Sequence, residues 1–206
     1  MEKKYELTNQ FIEVDGQRFY RIRAVRTFGE IVKGTLGGYI QSEANLSHCG
    51  DAWVQDEARI GGSALVCENA LVCDNAYVDG DALICGEAIV SATARISERA
   101  RLSKYARVSE KAKVLGRAKI SGAARVFGTA TVKDQAQVTG RSVVAGEAQV
   151  GGEAQIFDYA IVIGHARVSG NAQIGGEKAV SGDAIVPRRG NPPAGSTPIS
   201  PGPSPI

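Results

Sequence analysis

From Val54 onward every sixth residue is a branched aliphatic: Val54, Ile60, Val66, Val72 and so on through Leu102, Ile174, Val180 and Val186, 23 positions without an exception. Two residues before each stands an alanine, from Ala52 to Ala184, at 21 of the 23 positions, with Ser142 and Lys178 the exceptions. A period of six does not match the 3.6 of an α-helix. Residues two apart in a strand, however, point to the same side. Each unit therefore predicts a short strand that turns one alanine and one aliphatic toward a common core, followed by a corner. Glycine recurs two positions after the aliphatic, at Gly62, Gly80, Gly86, Gly116, Gly122, Gly128, Gly140 and Gly146, and most other corners carry Asp, Glu or Ala. Glycine tolerates the positive φ of a tight bend, and the alanine is small because it sits beside that bend, where the core narrows.

Three such units close a triangular coil of about 18 residues, and coils stack about 4.8 Å apart. The 23 units then make about seven to eight coils, a prism roughly 36 Å long. A five-residue solenoid is excluded, because its register would drift by one residue per turn. The predicted fold is all-β: a single-stranded parallel β-helix over residues 51–186.

Both ends break the pattern. Phe11-Ile12-Glu13-Val14 and Arg18-Phe19-Tyr20-Arg21-Ile22 flank Asp15-Gly16, a short hairpin signal. Residues 1–50 read as a small β cap, which a solenoid needs to cover the open edge of its first coil. The spacing between Ala44 and Ala52 is eight, so two residues are inserted where cap joins coil. Residues 187–206 are rich in proline and read as an extended or disordered tail.

The units Val54…Ala58 and Ile60…Ala64, and those after them, resemble the hexapeptide-repeat superfamily of left-handed parallel β-helices over about residues 44–186. The left hand of the coil is implied by that resemblance, since spacing does not show it. More narrowly, Tyr5-Glu6-Leu7-Thr8, Phe19-Tyr20-Arg21-Ile22-Arg23-Ala24, Gly37-Gly38-Tyr39-Ile40 and Glu43-Ala44-Asn45-Leu46-Ser47 are similar to phage- and bacterium-encoded "AxVxG" repeat proteins that often carry an acyltransferase label. A second resemblance is to bactofilin-type cytoskeletal solenoids, whose repeat is less strictly six-fold. Acyltransferases of the superfamily imply a histidine base in a cleft between subunits of a trimer, often shaped by an inserted loop. Here the register from Val54 to Val186 is unbroken, and His165 is the only candidate base; the plainer reading of such a corner residue is a solvated histidine. A carbonic-anhydrase-like site needs three histidines, and the chain has two.

Composition narrows the field further. Lys+Arg 24 nearly balances Asp+Glu 22, so net charge points to no partner. No apolar run is long enough to span a membrane, and the first residues lack the apolar stretch of a secretory signal, so a cytoplasmic setting is expected. Cys49, Cys67, Cys73 and Cys85 contain no CxxC pair and are expected as free thiols; no metal or cofactor is expected. The charge is banded, however. Residues 51–94 hold eight acids against Arg59, and residues 95–125 hold ten bases against Glu98 and Glu110, a net −7 (1 − 8) followed by +8 (10 − 2). Arg95, Arg101, Arg107, Lys113, Lys119 and Arg125 are candidate anion-binding residues, as a girdle that could take phosphate, nucleic acid or an acidic protein. The acidic band of a second chain and plain solvation are the rival readings of the girdle.

Outward residues flank each core aliphatic, and residues 18 apart share a face. One face carries Trp53, Leu71 and Ile89, then Arg107 and Arg125, then Phe127, Val143, Ile161 and Ile163. Two apolar patches of this kind predict contacts, and a homo-oligomer, dimer or trimer, is expected through them unless cap or tail covers one. A second face has Arg59, Tyr77, Arg95, Lys113, Thr131, Gln149 and Arg167, and a third has Leu65, Leu83, Arg101, Lys119, Gln137, Gln155 and Gln173. The reading is a non-enzymatic structural or protein-interaction solenoid, of phage or prophage type. A trimeric acyltransferase-like enzyme and an anion or nucleic-acid binder are the alternatives.

Overall fold

The computed structural model describes residues 2–187, so the tail expected at 187–206 lies, apart from Pro187, outside the described residues. Apart from one 3-10 turn at Glu43–Asn45, the regular structure is β. Strands β1 (Tyr5–Val14) and β2 (Gln17–Ala24) pair antiparallel. Asp15 and Gly16 close them with φ of 50° and 74°, the two positive values that a tight hairpin turn of this hand needs. Strand β3 (Leu36–Ile40) pairs antiparallel with β2 on one side and parallel with β5 (Arg59–Ile60) on the other. The first coil thus begins at Leu36, inside the segment read as cap. Ile40 pairs with Ile60 and Leu46 with Val66, each 20 residues on, whereas later partners such as Val90 and Val108 are 18 apart. The two extra residues sit between Leu46 and Ala52.

Beyond the cap run 23 two-residue strands, β4 (Trp53–Val54) to β26 (Ile185–Val186), one every six residues. They form three parallel sheets, the faces of a prism. The first face has eight strands, β4 to β25 (Ala179–Val180); the second adds β1, β2 and β3 to the stack that ends in β26; the third has seven, β6 (Leu65–Val66) to β24 (Gln173–Ile174). From Ala52 to Ala166 the alanines and aliphatics of the repeat are at most 1% exposed, forming one continuous core. The triangular parallel β-helix with 18-residue coils is therefore the fold. Ser142, in an alanine position, is buried and satisfied: its hydroxyl donates to the Thr139 carbonyl at 2.7 Å. No helix among the described residues is long and apolar enough to cross a membrane.

All 22 corners from Asp56 to Gly182 have a left-handed φ of 57–75°, and nine of them are not glycine. For a residue with a Cβ that conformation costs about 1–2 kcal/mol, so a compensating contact is expected. Six of the seven acidic corners have one. The N–H of the corner residue one coil on donates to the carboxylate, as Gly86 to Glu68 at 2.8 Å, Ala92 to Asp74 at 2.7 Å and Gly152 to Asp134 at 2.8 Å. Asp56, Glu110 and Asp158 do the same. A carboxylate at a corner thus acts as a stitch between coils, which explains why acids replace glycine there. Ala92 has no such side chain. Ala92→Gly is expected to stabilise the protein by about 1 kcal/mol, read as a rise in thermal midpoint; an unchanged or lower midpoint contradicts the assignment of strain.

The cap closes the first coil with aromatic rings. Phe28 packs edge-on to Trp53 at 5.5 Å, and Tyr5 stands 6.5 Å from Trp53 and stacks on His48 at 4.4 Å. Lys4 is fully buried; its ammonium donates to the carbonyls of Ala52 (2.7 Å) and Gly50 (3.1 Å) and lies 5.0 Å over the Phe28 ring. Burial, opposed by nearby Asp51, lowers its pKa from 10.5 to about 8. Between those values the unfolded chain holds the extra proton, so this group makes stability rise with pH. Burial raises the Cys67 and Cys73 thiols from 9.0 to about 11, so above pH 9 the unfolded chain is the one that has lost protons and stability falls. A maximum in thermal midpoint near pH 9 is expected, and Lys4→Met should remove its rising limb. A midpoint that falls steadily from neutral pH would contradict the burial of Lys4.

The other end is finished differently. Strands β24, β25 and β26 each end their sheet. Lys178 occupies an alanine position of this last coil and is exposed, as is Ala184. A charge where the repeat places an inward alanine keeps an open edge from pairing with another edge.

Candidate functional site

The first face splits into two unlike halves. Its upper apolar group is largely taken up by the cap: Trp53 is 1% exposed, and Leu71 and Ile89 are half-buried along a groove of ≈ 510 Å³ beside Gly29–Ile31. Trp53 was expected on an outer surface, and the reason it is not is the packing of Phe28 and Tyr5 from the cap. The lower group is left open by the described residues. Ile161 and Ile163 are each 38% exposed, Phe127 and Val143 are half-buried as Leu71 and Ile89 are, and Ala145 beside them is buried. Val143 pairs with Ile161, and Ile161 with Ala179, so the patch is one stack running toward the last coil. Arg125 lies 5.5 Å from the Phe127 ring and bounds the patch above. One flanking corner carries Arg141, 5.9 Å from the ring of Tyr159, and the opposite corner carries Glu147, His165 and Asp183.

The six basic residues singled out in the sequence stack in pairs on adjacent coils but on three faces: Arg107 with Arg125 on the first, Arg95 with Lys113 on the second, Arg101 with Lys119 on the third. The girdle therefore encircles the prism. Only at the corner between second and third faces do charges converge. There Arg101 and Lys119 meet Arg99 and Arg117, two residues earlier in each coil, around a cleft of ≈ 560 Å³ that Asp81 also lines. Sequence reasoning had counted Arg99 and Arg117 in the basic band without placing them together with Arg101 and Lys119; the 18-residue column Asp81, Arg99, Arg117 is the signal that locates them.

His165 is exposed, with Nδ1 3.4 Å from Asp183 and Nε2 3.6 Å from Glu147, the residues one coil to either side. Both ring nitrogens stand beside an exposed carboxylate. His48 accepts a hydrogen bond from the Lys4 N–H at 3.3 Å, and burial lowers its pKa, so it belongs to the cap. Cys67, Cys73 and Cys85 are free thiols, and among the described residues no group of three or more His, Cys, Asp and Glu is arranged to hold a metal ion. Against known proteins, no family model matches the chain, and no curated protein does.

Proposed function

We propose that this chain is a structural, protein-interaction solenoid that works as a homo-oligomer, and that the first face of one copy packs on the first face of another. The observation that carries the reading is the apolar stack of Phe127, Val143, Ile161 and Ile163, which the described residues leave open. A two-fold axis parallel to the prism axis suits it best. That operation sets the residue before each aliphatic opposite the residue after it, at the same height. Val143 then faces Ala145, Ile161 faces Ile163, and Arg125 faces Phe127 of the second copy. Arg107 and Arg125 escape their own mates, and the corner of Arg141 comes opposite that of Glu147. Like charges meet at Glu177 and Asp183, but in the last coil, past the patch. An antiparallel pairing centred on the face would instead set Arg107 against Arg125, which is unfavourable.

The acyltransferase reading rests on one candidate base, His165, an exposed corner side chain beside two exposed carboxylates, whereas the scaffold reading rests on the apolar stack of four residues. A scaffold is therefore the reading we hold. Light scattering over a range of protein concentration, at low and high salt, tests it. A salt-resistant mass of twice 21.6 kDa is expected; a mass of 21.6 kDa at every concentration overturns it.

A further inference from the structure

The basic corner is a separate feature with its own chemistry. In a triangular prism the edge between second and third faces lies opposite the first face, so this corner stays open when first faces pair. We infer that the corner of Arg99, Arg101, Arg117 and Lys119 is a binding site for an anion that carries two or more phosphoryl groups.

Three observations carry it. The first is that the cations form a grid. Arg101 and Lys119 are in-register partners on adjacent coils, about 4.8 Å apart by the spacing of a parallel sheet. Arg99 and Arg117 repeat that pair at the preceding corner, two residues earlier in each coil. The second is that the charge is only partly compensated. Among the described residues the one ion pair made by this grid is Arg99 to Asp81, at 3.5 Å and well exposed. Like charges directly opposite on neighbouring strands destabilise a sheet, and here the same cost is repeated in both columns, offset by Asp81 and by Glu98 at the same corner, two carboxylates against four cations. Neighbouring coils show that nothing in the fold demands it, since Leu83 and Gln137 occupy the equivalent strand positions above and below Arg101 and Lys119. The third is shape: the exposed side chains line an open cleft of ≈ 560 Å³, a volume in the range of small-ligand sites.

Guanidinium groups recognise phosphate oxygens through paired, charge-assisted hydrogen bonds, and an ammonium adds a point charge. Two rows of cations need at least two phosphoryl groups to engage both. Asp81 beside Arg99 fixes that guanidinium and disfavours an anion at its own end of the column, which places the ligand toward Arg101, Arg117 and Lys119. A free polyphosphate and the backbone of a nucleic acid share this chemistry.

The test titrates the full chain with tripolyphosphate by calorimetry and with a short DNA duplex by anisotropy, each at two salt concentrations. Binding of tripolyphosphate identifies a small polyphosphorylated ligand, and binding of the duplex alone identifies a nucleic-acid backbone. In either case Arg101→Gln with Lys119→Gln should weaken binding at least ~10-fold, and for the duplex it should reduce the salt slope by about 2, one for each cation withdrawn from a phosphate. Its thermal midpoint should be equal or higher, because stacked like charges have been removed. Arg167→Gln, exposed on the second face, should change nothing. Absence of binding to both probes at low salt, or undiminished binding by the double variant, overturns the site.

Discussion

Replacing Trp53 by alanine is expected to cost about 3–5 kcal/mol, the usual penalty for truncating a fully buried large aromatic. Trp53 is the piece on which cap and solenoid meet, 1% exposed, with Phe28 and Tyr5 against it. Solenoids are held together by nearest-neighbour contacts, so their ends melt independently when the terminal interface is weakened. The destabilisation should therefore appear as an early separate transition, in which the cap leaves the first coil. Once it leaves, β3 loses its partner β2, and its open edge templates aggregation. Circular dichroism together with light scattering during heating checks both parts. A single transition at the wild-type midpoint would show that the cap does not depend on this ring.

Changing Ile161 and Ile163 together to glutamate has the larger consequence for assembly. In a lone chain both side chains are 38% exposed, so the double change costs little, within roughly 0.5 kcal/mol per surface site. Across the proposed interface it would place four carboxylates against one another away from water, where an unpaired buried charge costs several kcal/mol. The variant is expected to be folded, with a near-normal melting curve, and to run at 21.6 kDa at concentrations where the parent chain is paired. A variant that keeps the parent's mass would move the interface elsewhere.

The coil was legible in the sequence because each structural demand fell on a fixed position in the repeat. The aliphatic at Val54 and every sixth residue after it specifies the core, and the alanine at Ala52 and its successors specifies the narrow part beside the bend. The turn at Asp15-Gly16 was equally clear, since few residue pairs tolerate two positive φ values. The acids at Glu68, Asp74 and Asp134 were visible as corner residues, but their bond to the N–H of the next coil depends on stacking geometry. The same limit hid the burial of Trp53. A face read by 18-residue columns shows which side chains stack, while the cap that covers them comes from Phe28, which lies outside the repeat. The basic corner was half legible: single columns such as Arg101 and Lys119 follow from the period, whereas the meeting of two columns at one edge follows from the prism's cross-section.

Pairing of first faces about an axis parallel to the prism is tested most directly by a photo-reactive benzoylphenylalanine at Ile163. The expected product is a dimer whose cross-linked peptide contains Ile161 or its immediate neighbours from the second copy. Cross-links confined to the labelled chain, or to peptides of the cap end, would contradict the proposed interface.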